Sequence, residues 1–401
     1  MKILLVHNSY QTAGGEDQVY ATERALLRAH GHEVVEYSRT NKEIQEYSLL
    51  KRLSLAQQTI YSMPSRRDFA EVLRTANPDV VHVHNTFMVI SPSIYGACRE
   101  QEVPVVQTLH NYRLLCPAAN FIRDGKNCRE CESHLAHSVL HGCYRGSRAN
   151  TAVVASMLGW HRFKGTYSKL IDRYIVLSEF AREIFVSSGR FDPGKMTVKP
   201  NCVFPDPGER REDGRYALYF GRMDREKGVD MLLKAWRSLP EIPLRLAGAG
   251  PLTKEIEAAA AQMPMVKYLG ALSRDRLYEV IKGARFVVAP SICYENFPMS
   301  VAEAYACGVP VLASDLGSMK EIVRHGGTGL LFRPGDCEDI RTKALLAWNN
   351  RQYADKLGCQ ARKEYEAKYT GERNYEMLIR IYESALPKDN TDAGGAHSAR
   401  M

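Results

Sequence analysis

Short apolar runs alternate with amphipathic stretches along this chain, and the alternation predicts a parallel sheet covered by helices on both faces. Ile3–Val6 reads as a strand. A polar loop ending Ala13-Gly14-Gly15 follows, then a helix from about Asp17 to Ala29 and a second strand at Glu33–Tyr37, making a β-loop-α-β unit. Further runs at Val80–Val83, Val103–Thr108 and Tyr174–Leu177 extend the sheet, and Ser178-Glu179-Phe180 starts another helix. Residues 201–214, with Pro205, Pro207 and Gly208, read as a linker. Beyond it the rhythm restarts, with strands at Ala217–Phe220, Leu244–Ala247, Val266–Leu269, Phe286–Ala289 and Pro310–Ala313. The helices between them are expected at about Gly228–Ser238, Leu252–Gln262, Arg274–Lys282, Ser300–Ala306 and Met319–Arg324. The expected fold class is therefore α/β, two Rossmann-like doubly wound parallel-sheet domains facing each other across a cleft. They occupy residues 1–200, with an insertion at about 112–165, and 215–345. Residues 346–386 form closing helices expected to cross back to the first domain, and 387–401 a disordered tail.

Composition narrows the class. With 45% hydrophobic and 25% charged residues over 401 positions, the chain has ordinary globular make-up. Its apolar runs fall far short of the roughly 20 residues that span a bilayer, which points to a cytoplasmic protein. The net charge of +8 sits mostly in residues 1–200, which hold 25 Lys and Arg against 19 Asp and Glu. Between 143 and 173, Arg145, Arg148, Arg162, Lys164, Lys169 and Arg173 face a single acid, Asp172, and mingle with Tyr144, Trp160, Phe163 and Tyr167. That mixture suits an anionic membrane surface or an acidic lipid-linked substrate, and equally a solvated basic helix face. No recognition motif accompanies the charge, so nucleic acid is not expected as a partner.

Ligands of open parallel sheets bind beyond the carboxyl ends of the strands, so the loops there carry the chemistry. After Ala217–Phe220 comes Gly221-Arg222-Met223-Asp224-Arg225-Glu226-Lys227-Gly228. A planar guanidinium (Arg222) and an ammonium (Lys227) at the sheet mouth suit a diphosphate and the charge that grows on it as it leaves. After Phe286–Ala289, the segment from Pro290 to Ala304 carries Glu295, Asn296, Phe297 and Pro298 into a helix whose first amides, on Met299, Ser300 and Val301, would hold a phosphate. Glu303, one turn inside, is placed to accept hydrogen bonds from ribose hydroxyls, and Glu295 to meet a transferred sugar. Gly248-Ala249-Gly250 lacks a third glycine, since position 253 is Thr, and reads as a strand-to-helix turn.

Together with Gly308-Val309-Pro310-Val311 and Gly326 to Leu331, these segments make the chain similar to the retaining glycosyltransferases of family 4, which have the GT-B fold. The resemblance covers nearly the whole chain and is most specific over 216–335. It implies that Arg222 and Lys227 bind the donor diphosphate, Glu303 the ribose and Glu295 the donor sugar, with retention at the anomeric carbon.

In the first half, Gly14 and Gly15 would let a donor phosphate or an acceptor approach the backbone. His110 ends its strand at the sheet mouth, and its match to the family's strand-end histidine suggests contact with the transferred sugar. His82 and His84, alternating in Val-Val-His-Val-His-Asn, are expected on opposite sides of their strand, with His84 on the acceptor side. The expected catalytic group is thus His110, Glu295, Arg222 and Lys227. No cofactor is required. Cys116-x11-Cys128-x2-Cys131-x11-Cys143, with its Cys-x-x-Cys knuckle, resembles a four-thiolate structural zinc site, and free or buried thiols are the alternative. The expected activity is transfer from a nucleoside diphosphate sugar to a sugar or lipid-linked acceptor, in surface polysaccharide or glycoconjugate synthesis, on the inner face of the cytoplasmic membrane. The rivals are a sugar-nucleotide epimerase of the same fold and a silent sugar-nucleotide sensor.

Overall fold

The structure, a computed structural model, describes residues 1–11 and 14–387. The expected disordered tail lies, from residue 388 onward, outside the described residues. The first domain carries β1 (Lys2–Ser9), β2 (Glu33–Thr40), β3 (Val80–Asn85), β4 (Val105–Thr108), a two-stranded hairpin of β5 (Ile122–Arg123) and β6 (Lys126–Asn127), then β7 (Arg173–Val176) and β8 (Met196–Val198). The second carries β9 (Ala217–Phe220), β10 (Leu244–Ala247), β11 (Val266–Tyr268), β12 (Phe286–Ala289), β13 (Val311–Ser314) and β14 (Gly329–Phe332). The two six-stranded sheets have the orders β2-β1-β3-β4-β7-β8 and β11-β10-β9-β12-β13-β14. Every pairing within them is parallel.

Each order reverses once, between β1 and β3 in the first sheet and between β9 and β12 in the second. At such a switch point, helices leave on opposite faces and a crevice opens at the carboxyl ends. The loops after β9 and β12 therefore converge, and so do those after β1 and β3. The central strands β9, β12 and β13 are fully buried, because helices cover both faces of the sheet.

The last three helices, Cys337–Asn349, Arg351–Lys368 and Gly371–Ala385, start at Asp336, Asn350 and Thr370, whose side chains accept from the first-turn amides. The final one packs on the first domain. Its Tyr382 hydroxyl lies 2.7 Å from His82 Nδ1, and Arg173 reaches back to the Ser384 carbonyl oxygen at 2.7 Å. One apolar cluster consequently runs through both domains, from Ile3, Leu5 and Val106 to Val203, Tyr305 and Tyr382.

The β5–β6 hairpin was not expected, nor were two strands of the six-stranded sheets. β8 is a three-residue run after a Pro-Gly turn. β14 opens on Gly329, where any Cβ would sit 2.0 Å from the Val311 carbonyl oxygen, so close approach to β13 demands a residue with no apolar signal. The expectation that His82 and His84 face opposite ways is overturned. Residues two apart on a strand share a face, and their rings stand 4.3 Å apart.

Candidate functional site

At the second switch point, two loops are zipped together. The Ile292 amide donates to the Glu226 carbonyl at 3.0 Å, and Gly228 takes a left-handed φ of 68° where a Cβ would collide with the Pro290 carbonyl oxygen at 2.0 Å. This brings Lys227 Nζ to 2.6 Å from Glu295 Oε1, which also accepts from Ser291 Oγ at 2.7 Å. Burial alone would lower the Lys227 pKa and raise that of Glu295. Their mutual attraction outweighs it, so Lys227 is held above the usual lysine range and Glu295 below the usual carboxylate range. Arg222 is the exposed partner at the cleft edge, 3.4 Å from Asp224 and with 60% of its side chain accessible. A fixed ammonium inside and a movable guanidinium outside form a clamp suited to a diphosphate.

Glu303 is 5% exposed on the helix Met299–Ala306, and burial pushes its carboxyl up despite a hydrogen bond from Gln18 Nε2 at 3.0 Å. Gln18 belongs to the first domain, on the helix Gly15–Ala29, so Glu303 already looks across the cleft. The other donor-side residues divide. Met299 and Ser300 stand half-buried at the helix start, but the Val301 amide is spent on the Pro298 carbonyl at 3.0 Å. Asn296, Phe297 and Pro298 are buried within the protein. Asn296 Nδ2 donates to the Leu109 carbonyl, Ser178 Oγ donates to the Asn296 carbonyl at 3.1 Å, and the Phe297 ring packs on Tyr369. Asn296 thereby ties the second domain to Leu109 and Ser178 of the first.

Across the cleft, His110 Nε2 lies 2.9 Å from His84 Nδ1, with the rings stacked at 5.1 Å. Burial holds both imidazoles well below the ordinary histidine range, so both are neutral at neutral pH. His84 is only 3% exposed and is the partner of His110 on the wall of the cleft. Behind it the Glu23 carboxylate, 3.5 Å from His84 Nε2 and 3.8 Å from His82 Nδ1, pairs with Lys199 at 2.6 Å. Burial also lowers His82, to about 4.

Glu16 lies in the first turn of the helix Gly15–Ala29, where an acid suits the helix N-terminus and nothing else singles it out in the sequence. In the fold its carboxyl accepts from Asn85 Nδ2 at 2.7 Å and Asn111 Nδ2 at 3.2 Å, at the first sheet's switch point. Burial against the cleft wall, with Asp17 beside it, raises its pKa to about 8. Gly14 caps this helix, and its amide is taken by Asp17 Oδ2 at 2.7 Å, while Asp17 Oδ1 lies 2.8 Å from His7 Nε2. Gly15 is exposed, with open space where a Cβ would be.

The segment between β4 and β7 reaches over both sites. The Asn120 amide donates to Glu226 at 2.7 Å and the Tyr112 hydroxyl to the Glu295 carbonyl at 3.4 Å. Of its basic residues, Arg145, Arg148, Lys164 and Lys169 are exposed beside Trp160 and Phe163. Arg162 is not, since it binds the Leu114 carbonyl at 2.8 Å and burial lowers it to about 10. Among the described residues no helix is long and apolar enough to cross a membrane.

Two family models match the chain in series. The model for Glycosyltransferase Family 4 matches residues 12–206, and the model for Glycosyl transferases group 1 matches residues 204–364. An uncharacterised glycosyltransferase of Methanocaldococcus jannaschii is 26% identical over 298 residues, covering 69% of this chain and 83% of its own. The chain spans less than half the length of the next curated relatives it matches. Sucrose-phosphate synthase from Thermosynechococcus elongatus shares the fold at a TM-score of 0.70 and 18% identity, over 96% of this chain and 98% of that one. An Anabaena protein solved in complex with UDP and glucose does so at 0.67 and 17%, over 96% and 100%. With both halves matched in order and the fold shared end to end, the chain belongs to the group 1, family 4 glycosyltransferases of GT-B fold.

Proposed function

We propose that this protein transfers a sugar from a nucleoside diphosphate sugar to a sugar or lipid-linked acceptor with retention, in the synthesis of a surface polysaccharide or glycoconjugate. The observation that carries this reading is the convergence of Lys227, Glu295 and Ser291 at one switch point, opposite His110 and Glu16 at the other. Arg222 and Lys227 hold the diphosphate, Glu303 the ribose, and Glu295 and His110 the hydroxyls of the donor sugar. The UDP and glucose in the Anabaena complex support that class of donor. In the reaction, the bond from the anomeric carbon to the phosphate oxygen breaks and the acceptor oxygen bonds to that carbon from the same face. The acceptor's proton passes to the departing phosphate. A neutral His110 adds no positive charge next to the oxocarbenium-like carbon, and the two cations take up the charge on the leaving group.

Glu16 is our assignment for orienting the acceptor hydroxyl. It is protonated at neutral pH and loses its proton near pH 8. The rate with saturating donor is accordingly expected to change through a limb near pH 8 that is missing in Glu16→Gln, while slow hydrolysis of the donor is unaffected. A limb that survives in Glu16→Gln assigns it elsewhere.

Exposed Leu140, Trp160 and Phe163, set among Arg148, Lys164 and Lys169, support a peripheral position on the cytoplasmic membrane face, where lipid-linked acceptors lie. The test is release of nucleoside diphosphate from a panel of nucleotide sugars, with and without a membrane extract as acceptor source. Release from one donor that depends on extract, and falls roughly a hundredfold in Glu303→Ala and Arg222→Ala, supports a transferase. Tight donor binding without turnover points to a sensor, and conversion of the sugar without release to an epimerase.

A further inference from the structure

We propose that the cavity enclosed by Leu114, Arg162, Tyr167, Arg190 and Phe191 binds a phosphate group, separately from the donor diphosphate clamp. It lies in the first domain where three stretches meet: the segment after β4, the end of the helix Arg148–Phe163 with the turn behind it, and the turn after the helix Glu179–Ser187. Its volume is about 220 Å³. Pockets that enclose a whole drug-sized ligand run from roughly 300 to 1,000 Å³, so this one suits a single small group.

The lining carries two guanidinium groups and no carboxylate. Arg162 Nη2 donates to the Leu114 carbonyl at 2.8 Å and the Leu115 carbonyl at 3.3 Å, which fixes the group, while its Nε is buried with no partner. Arg190 Nη2 is held by the Glu132 carbonyl at 2.7 Å. The acids close by are spent elsewhere. The Glu132 carboxylate accepts from Arg129 Nε at 2.7 Å and Nη2 at 3.0 Å, and Asp192 accepts from the Gly194 amide at 2.8 Å. Among the described residues, neither Arg162 nor Arg190 forms an ion pair with a carboxylate.

An arginine in the last turn of a helix suits the carbonyl end on its own account. Here that end is already capped, by the Lys164 amide on the Trp160 carbonyl at 2.9 Å and the Gly165 amide on the Arg162 carbonyl at 3.1 Å. Burial and then Arg190 both lower Arg162, to about 10, so it stays charged at neutral pH beside a second cation. That arrangement is costly unless an anion joins it, and phosphate offers oxygens to both planar forks at once.

The walls are fixed. Phe191 packs edge-on against Phe185 at 5.3 Å and Tyr174 at 5.4 Å. His161 is no ligand, because its Nε2 lies 2.7 Å from the Ile60 carbonyl and its Nδ1 2.9 Å from the Thr166 hydroxyl. Recognition therefore rests on the two arginines. Leu114 and Tyr167 also line the cleft cavity that includes His110, and the helix that supplies Arg162 exposes Trp160 and Phe163. A phosphate borne on a lipid would find apolar side chains on both sides of the arginines, and free phosphate would meet the arginines alone. That the lipid is the acceptor rests on the transferase reading; the phosphate site does not.

The test is calorimetric titration of the full chain with two probes, inorganic phosphate and dihexanoyl phosphatidic acid kept below its micellar concentration. Saturable binding of at least one is expected. It should weaken about tenfold or more in Arg162→Gln and in Arg190→Gln, and persist in Arg222→Ala, which alters the donor clamp. Tighter binding of the lipid than of inorganic phosphate makes a lipid the source, and equal or weaker binding makes it free phosphate. Should Arg162→Gln fail to fold, Arg190→Gln decides, because Arg190 is exposed and lies outside the helix. Thermal unfolding gives a second readout, since the bound probe should raise Tm in the wild type and in Arg222→Ala and leave it in place in Arg190→Gln. The proposal is overturned if the wild type binds neither probe, if binding is unchanged in both arginine variants, or if it is lost in Arg222→Ala alone. None of these readouts depends on turnover, so a failed transferase assay and a failed phosphate site remain separate results.

Discussion

Lys227→Ala is expected to lower kcat/KM for the sugar nucleotide by about three orders of magnitude, most of it in kcat, the largest loss from any single change in the cleft. Two effects add. The ammonium that meets the growing charge on the leaving diphosphate is gone, and Glu295 is left buried without the cation 2.6 Å away that keeps its pKa low. Arg222→Ala removes an exposed and movable charge, so its loss should be about tenfold smaller. Lys227→Arg should rescue poorly, since a planar guanidinium does not fit where an ammonium meets Glu295 Oε1.

The pH dependence separates this account from simple misfolding. Glu295 has a depressed pKa in the folded state, so the pair's contribution to stability is present above the ordinary glutamate pKa and is lost as pH falls through the depressed value. Lys227 is raised, so its share holds below the ordinary lysine pKa and disappears as pH climbs through the higher one. Wild-type kcat should therefore be flat on the acid side down to the depressed Glu295 value. In Lys227→Ala burial is no longer opposed, and the acid limb should move up toward neutrality. Steady-state kinetics from pH 5 to 9 on both proteins check this. An unmoved limb, or a loss under tenfold, would remove Lys227 from the reacting centre.

Much of this was legible in the chain because the second domain keeps its chemistry local. Lys227 and Glu295 each follow a strand whose apolar run is unbroken, and the strands Ala217–Phe220, Leu244–Ala247 and Phe286–Ala289 have the bounds their sequence suggests. Once β9 and β12 are neighbours, both loops must meet. The first domain is different. Glu16 meets Asn85 and Asn111 from 69 and 95 residues away, and nothing near Glu16 in sequence separates it from an acid placed to suit a helix N-terminus. Asn296 has a use the sequence does not announce, because its contacts to Leu109 and Ser178 join the two domains, while a polar residue beside a candidate sugar contact reads only as recognition. Sequence spacing has no record of which partner wins such a residue.

The buried pair beneath His110 gives the largest expected effect on stability. Glu23 and Lys199 have side chains 1% and 0% exposed and lie 176 residues apart, joining the first helix to the end of the sheet. Glu23→Leu leaves the ammonium buried and unpaired, and should destabilise the protein by about 3–5 kcal/mol, a fall in Tm of roughly 10 °C for a domain of this size. Lys199→Met should cost about as much for the mirrored reason. The double variant Glu23→Leu/Lys199→Met, with apolar groups of similar volume in both places, should regain most of that stability, as replacement of a whole buried pair commonly does. Activity should not follow. Removing Glu23 takes away the carboxylate 3.5 Å from His84 Nε2, a charge that favours a proton on that nitrogen, and so disturbs how His84 meets His110, 2.9 Å from its Nδ1. The double variant is therefore expected to melt near the wild type while its kcat remains about tenfold down, with donor KM little changed. Thermal unfolding and kinetics on the two singles and the double measure the split. If kcat recovers together with Tm, the pair serves packing alone and the line from Glu23 through His84 to His110 carries no catalytic influence.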